Sequence, residues 1–205
     1  RSKQPPADRS TAFKANRTSI KGRKGPAKIA DEKRAHEITA DLVGAAYSVE
    51  SVRKKETRSR PSPPFITSTL QQAASSRLGM PADRTMRIAQ QLYEGVNLPG
   101  EGSVGLITYM RTDSTRIADE AKAEVRTLIK ETIGPEYVPA TPPVYKTQKA
   151  AQEAHEAIRP TSVARTPERL KKILDRDHFR LYELIWRRFV ASQMMPARLA
   201  VTRVD

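Results

Sequence analysis

Apolar side chains recur at helical spacing on both sides of Gly79, and this pattern constrains residues 67–95 to a pair of short helices. Thr67 or Ser68 can cap the first helix, because a hydroxyl satisfies backbone amides that are left free at a helix start. Gly79 ends that helix, and Pro81 then stands where a first-turn proline is tolerated. The apolar residues assigned to the two faces are Leu70, Ala73, Ala74 and Leu78, followed by Met86, Ala89, Leu92 and Tyr93.

The segments after this helix pair predict a mixed fold that is mainly helical. Residues 96–104, VNLPGEGSV, are rich in turn formers and predict a hairpin tip, and residues 105–111, GLITYMR, predict a strand. Two helices followed by a hairpin and a strand resemble a winged-helix unit. Further helices are predicted at residues 118–133, 166–174 and 177–194. The expected fold class is therefore α+β, mainly α, with a winged-helix-like domain.

Prolines and shifts in composition divide the chain into four predicted parts. Pro61, Pro63 and Pro64 form a stiff boundary, and Pro196 ends the last helix. The predicted parts are a basic, flexible segment at 1–36, the first part of a neighbouring β-containing domain at 37–60, a mostly helical domain at 61–195, and a strand that returns into the β-containing domain at 196–205.

Two elements are predicted within residues 37–60. Ile38, Leu42 and Val43 suit one face of a short helix that begins at Glu37 and is ended by Gly44. The alternation through residues 47–52 then predicts a strand.

The chain carries a strong positive charge that is concentrated at its start. The 205 residues have a formal net charge of +14. Residues 1–36 contain eleven Lys and Arg against three acidic residues. A surplus of this size favours a polyanionic partner such as nucleic acid, or an anionic membrane surface. The basic segment either captures phosphates or is a solvated linker, and the second interpretation is favoured.

Several functional classes are excluded by composition. There is no cysteine, so disulfides, Cys-based zinc sites and thiol catalysis cannot occur within the chain. No apolar run approaches the ~20 residues of a membrane helix. The start has neither a secretory signal nor an initiator Met, and we expect the chain to be a piece of a longer protein.

Tyr109 and Arg111 are the residues with the most suggestive chemistry. In a strand they would point the same way, with Ile107 beside them. A tyrosine hydroxyl is a weak nucleophile because its ordinary pKa is about 10. A neighbouring guanidinium would favour the phenolate and would also stabilise charge that grows on a phosphate under attack. The pair is therefore a candidate for covalent phosphoryl transfer, although a strand tyrosine near an arginine is more often packing.

Four sequence blocks resemble the catalytic-tyrosine region of bacterial type IA DNA topoisomerases. They are PFITSTLQQAASSRLG at 64–79, GLITYMRTDS at 105–114, QEAHEAIRP at 152–160 and LYELIWRRFVASQM at 181–194. The blocks stand in the order that the family has. Residues 37–60 match only loosely, and residues 1–36 match poorly.

The resemblance implies a reaction and a role for named residues. Tyr109 would attack a phosphodiester of single-stranded DNA and form a 5′-phosphotyrosyl bond, and Arg111 would hold the scissile phosphate. His155 would bind phosphate or assist the tyrosine electrostatically, or else cap a helix or form a hydrogen bond, and both interpretations stay open. Arg159 is a weaker phosphate candidate. Thr108, Asp113 and Ser114 are expected to brace the strand rather than to react.

The resemblance also implies partners and cofactors outside this chain. Mg²⁺ would be bound by a separate domain, and the Asp175-Arg-Asp177 pair, at a polar helix start, is not expected to be that site. No ATP would be needed, because the ester stores the bond energy. The partners would be single-stranded and negatively supercoiled DNA and the remaining domains of the parent topoisomerase, in a cytoplasmic, nucleoid-associated protein.

Three functions are compatible with these observations. The first is an enzyme that relaxes negative supercoils by transient single-strand cleavage, of which this fragment alone would be inactive. The second is a non-catalytic module that binds single-stranded DNA. The third is the topoisomerase part of a reverse gyrase-like fusion. The VNLPGEGSV tip is longer than the minimal link that the family resemblance implies, and its role stays open.

Overall fold

The computed structural model describes residue 29 and residues 31–46, 48–145 and 155–204. It divides into two compact units, and the larger one spans Arg53–Thr202. In chain order the helices are α1 (Glu32–Leu42), α2 (Thr67–Leu78), α3 (Ala82–Glu94), α4 (Asp119–Thr132), α5 (Pro167–Leu170) and α6 (Arg176–Ser192). The strands are β1 (Val52–Ser59), β2 (Val96–Leu98), β3 (Gly102–Val104) and β4 (Ala197–Val204), and a 3-10 turn covers Pro135–Tyr137.

The predicted helix pair is present as α2 and α3. The first helix ends at Gly79, whose φ of 68° lies in the left-handed region that glycine adopts without a steric penalty. Leu70, Ala73 and Ala74 are buried on α2, as predicted. Neither predicted cap is the N-cap residue. Ile66 takes that position, and its backbone N–H donates to the hydroxyl of Thr69.

A short antiparallel hairpin follows α3, as the turn-rich segment predicts. In it β2 pairs with β3, and Val96 lies opposite Val104. Val96 and Val104 are half-buried and pack on the core, whereas the turn at its tip is exposed. The hairpin therefore returns the chain toward the end of α3. The segment that carries Tyr109 starts at that point.

Helix α6 is the central element of the core. Its buried side chains include Tyr182, Ile185 and Phe189. The hydroxyl of Tyr182 donates to the carbonyl of Arg165 at 2.6 Å, and burial raises the pKa of this phenol. Half-buried Trp186 packs against both clusters of buried apolar residues, one around α2 and α3 and one around α4. Since the same helix lines both clusters, α6 joins the two halves of the larger unit.

Several predicted boundaries were wrong. Helix α1 begins at Glu32, inside the segment predicted to be flexible, because Asp31 caps the Arg34 amide. Of the strand predicted at 47–52, the described residues 48–51 form none, and only Val52 lies in a strand. The observed strand, β1, covers Val52–Ser59. Its residues are almost all exposed, so they lack the apolar alternation that marks a half-buried strand.

Other differences lie near the C-terminus. Helix α5 ends at Leu170 rather than at Leu174. Helix α6 ends at Ser192, before Pro196, and β4 follows as predicted. Strands β1 and β4 pair in a two-stranded sheet, and an ion pair joins Glu56 to Arg198. Their assignment to a neighbouring domain stays a prediction.

The fold class is α+β and mainly helical, as predicted. The winged-helix detail is not confirmed. Residues 105–111, which were predicted as a strand, do not form one. The rest of the basic segment, at 1–28 and 30, lies outside the described residues. No helix among the described residues combines the length and apolar character needed to cross a membrane.

The start of α6 generates a stability prediction. The side chain of Asp175 accepts hydrogen bonds from the backbone amides of Asp177 and His178, each at 3.0 Å. Asp175→Ala should lower the free energy of unfolding by about 1 kcal/mol, the usual loss for an N-cap. Urea titration of both forms of this chain checks it. Asp83→Ala, in the first turn of α3, is the matched control, and an equal loss there would contradict a capping effect.

The loss of stability in Asp175→Ala should depend on pH, because the Asp175 carboxyl titrates. The backbone N–H of His178 holds the pKa of the Asp175 carboxyl below its usual range. A carboxyl with a lowered folded-state pKa stabilises the fold above its unfolded-state pKa of about 3.9. We therefore expect the difference between wild type and Asp175→Ala to be full at neutral pH and to shrink as the pH falls through the folded-state pKa. A difference that grew on acidification would contradict this.

Candidate active site

Three extended segments lie side by side and hold the centre of the site. Phe65 forms an antiparallel bridge with Ile158, and Ile107 forms another with Pro160. The amide of Ile158 donates to the carbonyl of Phe65 at 2.8 Å, and the amide of Thr161 donates to the carbonyl of Leu106 at 3.0 Å. The segment around residue 158 therefore lies between the start of α2 and the segment that carries Tyr109.

Residues 105–111 are extended but do not form the predicted strand. Only Ile107 makes a bridge, and the chain then bends at Met110 and Arg111. Alternation nevertheless holds from residue 109 to 114. Its outward side chains are Tyr109, Arg111 and Asp113, and its buried ones are Met110, Thr112 and Ser114. Tyr109 and Arg111 thus face outward together, as predicted, whereas Ile107 is buried in the core instead of lying beside them.

Thr67 fixes the segment on both sides of Arg111. Its hydroxyl lies 2.8 Å from the carbonyl of Met110 and 3.0 Å from that of Thr112. It also accepts the amide of Thr112 at 2.9 Å. The backbone amide of Thr67 donates to the same Thr112 carbonyl at 2.9 Å. These bonds tie residues 110–112 to the first turn of α2, so the side chain of Arg111 is presented from a fixed backbone.

Thr108 braces the other side of Tyr109. Its hydroxyl donates to the carbonyl of Ala157 at 2.7 Å and accepts the amide of Arg159 at 3.0 Å. Its amide donates to the carbonyl of Arg159 at 2.9 Å. Ser114 makes local hydrogen bonds: its amide donates to the hydroxyl of Thr112, and its hydroxyl accepts the amide of Arg116. Tyr109 is consequently held between two backbone anchors, at residues 108 and 110–112.

The ring of Tyr109 lies between two other rings. Its centroid is 5.4 Å from that of Tyr93 with the planes at 65°, and 5.4 Å from that of His155 with the planes at 36°. The residue is 36% exposed. Among the described residues its hydroxyl has no hydrogen-bond partner. A tyrosine with a packed ring and an open hydroxyl can reach a substrate in solution.

Arg111 stands between two open grooves. One groove is lined by residues of α3 and the other by the start of α2 together with His155. In the part of the chain that the structure describes, no acidic side chain or carbonyl accepts a hydrogen bond from the Arg111 guanidinium. The positive end of the α2 dipole lies at the second groove, where Thr67 and Ser68 line it. This groove is suited to an anion such as a phosphate.

His155 and Arg159, the two weaker candidates for phosphate binding, lie in different environments. Residues 155–160 form an extended segment, so His155 does not cap the start of a helix there. Its ring instead packs against Tyr109. Arg159 is engaged elsewhere. Its guanidinium pairs with Glu156 at 2.8 Å, donates to the carbonyl of Pro160, and is only 13% exposed. A phosphate could bind Arg159 only in competition with these contacts.

Comparison with known proteins identifies the class. The sequence profile of the DNA topoisomerase family matches residues 9–205, so the chain belongs to that family. It is 49% identical to DNA topoisomerase 1 of Rickettsia felis over 167 residues, and equally so to that of Rickettsia typhi. It also resembles the structure of full-length topoisomerase I from Thermotoga maritima, with 44% identity, a TM-score of 0.69 and 91% of this chain covered. The chain is thus a bacterial type I topoisomerase fragment.

The chain spans about a fifth of the length of these curated relatives. The matches cover 21% of each Rickettsia protein and 28% of the Thermotoga chain. The activity of the whole protein is therefore a matter for proposal.

The described residues offer no fit for the magnesium that the family implies. No three of their His, Asp and Glu side chains gather closely enough to hold a metal ion. The Asp175 and Asp177 pair is already engaged, since Asp175 caps α6 and Asp177 pairs with Arg84. A metal ion at this pair would have to compete with these contacts.

Two residues of the site escaped the sequence analysis. Thr67 was considered only as a helix cap, yet its hydroxyl bonds to residues 43 and 45 positions away. Tyr93 was assigned only to the apolar face of α3, yet it is 41% exposed and packs against Tyr109. No local pattern carries either contact, because both depend on how distant segments fold together. The one available signal was that Thr67 lies inside the first matched block, at 64–79.

Thr67 gives a paired prediction. Thr67→Val keeps the shape but leaves the carbonyls of Met110 and Thr112 without this hydroxyl donor, and should cost about 1–3 kcal/mol. Thr67→Ser keeps the hydroxyl and should cost less than half of that. The free energy of unfolding of this chain in urea measures both. Equal losses in the two variants would mean that the methyl group, and not the hydroxyl, is what matters.

Proposed function

We propose that this chain is the nucleophile-bearing part of a type IA topoisomerase that relaxes negatively supercoiled DNA without ATP. The observation that carries the proposal is the setting of Tyr109: its ring is packed, the residue is partly exposed, and it stands two residues from Arg111, whose guanidinium has no acidic or carbonyl partner among the described residues. Three of the blocks that resemble the family, around residues 65, 107 and 158, meet in the backbone that holds it. Single-stranded DNA is the proposed partner.

The proposed chemistry is a reversible transesterification. The Tyr109 oxygen attacks a backbone phosphorus and loses its proton, while the bond from phosphorus to the 3′ oxygen breaks and the 3′-hydroxyl leaves. One phosphodiester replaces another, so the energy of the broken bond is kept in the phosphotyrosyl ester. After passage of the other strand, the 3′-hydroxyl attacks the ester and reseals the DNA. No external energy source is needed.

Arg111 and the start of α2 would stabilise the phosphate during attack. The guanidinium can donate two parallel hydrogen bonds to phosphate oxygens. The α2 dipole adds positive potential from the same groove. His155 lines that groove and contacts the Tyr109 ring, so it supports either phosphate binding or orientation of the nucleophile. These groups bind charge that is largest in the transition state, which is where binding accelerates a reaction.

The remaining requirements are assigned to the rest of the parent protein. Magnesium and a proton donor for the leaving 3′ oxygen would come from another domain, and relaxation would need all domains together. We expect the protein to act in the cytoplasm, at the nucleoid. The isolated chain would bind single strands but would not relax DNA.

The main test is Tyr109→Phe in the full-length parent. The change removes one oxygen and keeps the ring between Tyr93 and His155. Covalent DNA adducts and relaxation should vanish, while binding of single-stranded DNA and the unfolding temperature stay close to wild type, since the swap is near-isosteric. Denaturant trapping of labelled DNA and a gel relaxation assay measure the two activities.

Tyr137→Phe is the matched control, because Tyr137 is also exposed, at 44%, but is not among the residues of the site. It should retain full activity. Mapping of the DNA-linked peptide in the wild-type protein completes the experiment. A label on another tyrosine, or adducts that persist in Tyr109→Phe, would overturn the assignment.

A graded test concerns Arg111. Arg111→Lys keeps the positive charge but loses the planar fork that can grip two phosphate oxygens. The cleavage rate at saturating DNA should fall on the order of tenfold, equivalent to ~1.4 kcal/mol of transition-state stabilisation, with a smaller loss in DNA affinity. Rapid-quench cleavage and equilibrium binding separate the two quantities.

Arg187→Lys is the control for that swap, because Arg187 is well exposed and pairs with Glu183 on the surface of α6. It should leave the cleavage rate unchanged. If Arg111→Lys weakened binding as much as cleavage, Arg111 would be a general DNA contact rather than a clamp on the reacting phosphate.

A further inference from the structure

Tyr93 contacts the proposed nucleophile from a different element. It lies near the end of α3, and its ring centroid is 5.4 Å from that of Tyr109 in an edge-to-face arrangement. Aromatic pairs with this geometry attract beyond the effect of burying their surface. Tyr93 is 41% exposed, so the packing of the core does not require an aromatic ring at this position.

The backbones of the two tyrosines are coupled by the connection after α3. The amide of Leu106 donates to the carbonyl of Leu92 at 2.7 Å, so the segment with Tyr109 starts against the last turn of the helix. Gly105 makes the approach close: a Cβ added there would lie 2.7 Å from the carbonyl oxygen of Tyr93. The hairpin between them therefore brings the chain back to the residue whose ring packs on Tyr109.

The contact between the rings of Tyr93 and Tyr109 restrains a side chain that the surrounding backbone does not fix. The segment at residues 105–111 forms a single bridge instead of a ladder, so the Tyr109 side chain is not fixed by neighbouring strands. Its hydroxyl has no hydrogen-bond partner within the described residues, so the ring contacts with Tyr93 and His155 help to restrict its rotamer. A nucleophile reacts fastest when it is already held in the attacking orientation, because that ordering is then not part of the barrier.

We infer that Tyr93 is a positioning residue, which holds the ring of Tyr109 in its attacking orientation through edge-to-face packing. The inference rests on the proposed function, in which Tyr109 is the nucleophile. Tyr93 acts through Tyr109 and touches neither the phosphate nor the 3′ oxygen. The effect requires the ring of Tyr93 and not its hydroxyl, for which the structure shows no hydrogen-bond partner among the described residues.

The test uses the full-length protein with two variants of Tyr93. Tyr93→Phe keeps the ring and should cleave at the wild-type rate. Tyr93→Leu keeps apolar bulk but removes the ring, and its cleavage rate at saturating DNA should fall by about three- to tenfold, the range that an aromatic pair of this kind accounts for. The dissociation constant for single-stranded DNA should stay within about twofold of wild type, since positioning changes the rate and not the binding.

Control variants separate the loss of the Tyr93 ring from a general effect of removing an exposed ring. Tyr137→Leu removes another exposed ring and should leave the rate unchanged. Unfolding temperatures of all variants are measured, and if Tyr93→Leu does not fold, Tyr93→Gln replaces it at this exposed helical position with the same expected loss of rate.

Three results would overturn the inference: a wild-type rate in the ring-less variant, an equal loss in Tyr93→Phe, or weaker DNA binding with an unchanged rate at saturation. The last result would make Tyr93 a DNA contact. These results differ from failure of the proposed function, which would show as the absence of a Tyr109 adduct in the wild-type protein itself.

Discussion

The hydrogen bonds of the extended segment around Ile158 are the interaction on which the site depends. One side of this segment bonds to Phe65, just before α2, and the other side bonds to residues 106–108. Three stretches that are far apart in sequence thereby become neighbours, and buried amides and carbonyls that would otherwise lack partners are satisfied. Tyr109 then projects from a backbone that is anchored on both sides, by Thr108 and by Thr67.

Exposed and buried side chains alternate along residues 109–114. Met110, Thr112 and Ser114 are buried, while Tyr109 and Arg111 face outward, and Arg111 lines both grooves. In the core, α6 packs against both α2 and α3. An exposed tyrosine two residues from an arginine that has no acidic partner among the described residues is suited to a large polyanionic substrate, which approaches from solvent and cannot enter a closed cavity.

The helical part of the fold could be predicted because its information is local. The pair α2 and α3, with Gly79 between them, follows from apolar spacing and from a glycine in the left-handed region. Strand β4 was predicted as well, whereas β1 was largely missed because its residues are mostly charged. The segment at 105–111 looked like a strand because its apolar and β-branched residues suit one, yet its neighbours supply single bridges rather than a ladder.

The sequence by itself determined the family, the order of its blocks and the identity of the candidate nucleophile, because these depend on residue types at fixed spacing. Only the tertiary structure decided what surrounds Tyr109. It showed that Tyr93 and His155 pack on the ring, that Thr67 holds the backbone of Arg111, and that Arg159 is engaged with Glu156. The physical reason is that, except for the Arg159–Glu156 pair, which is three residues apart, these contacts join residues far apart in the sequence. Their distances are set by how separate segments pack together rather than by any local preference.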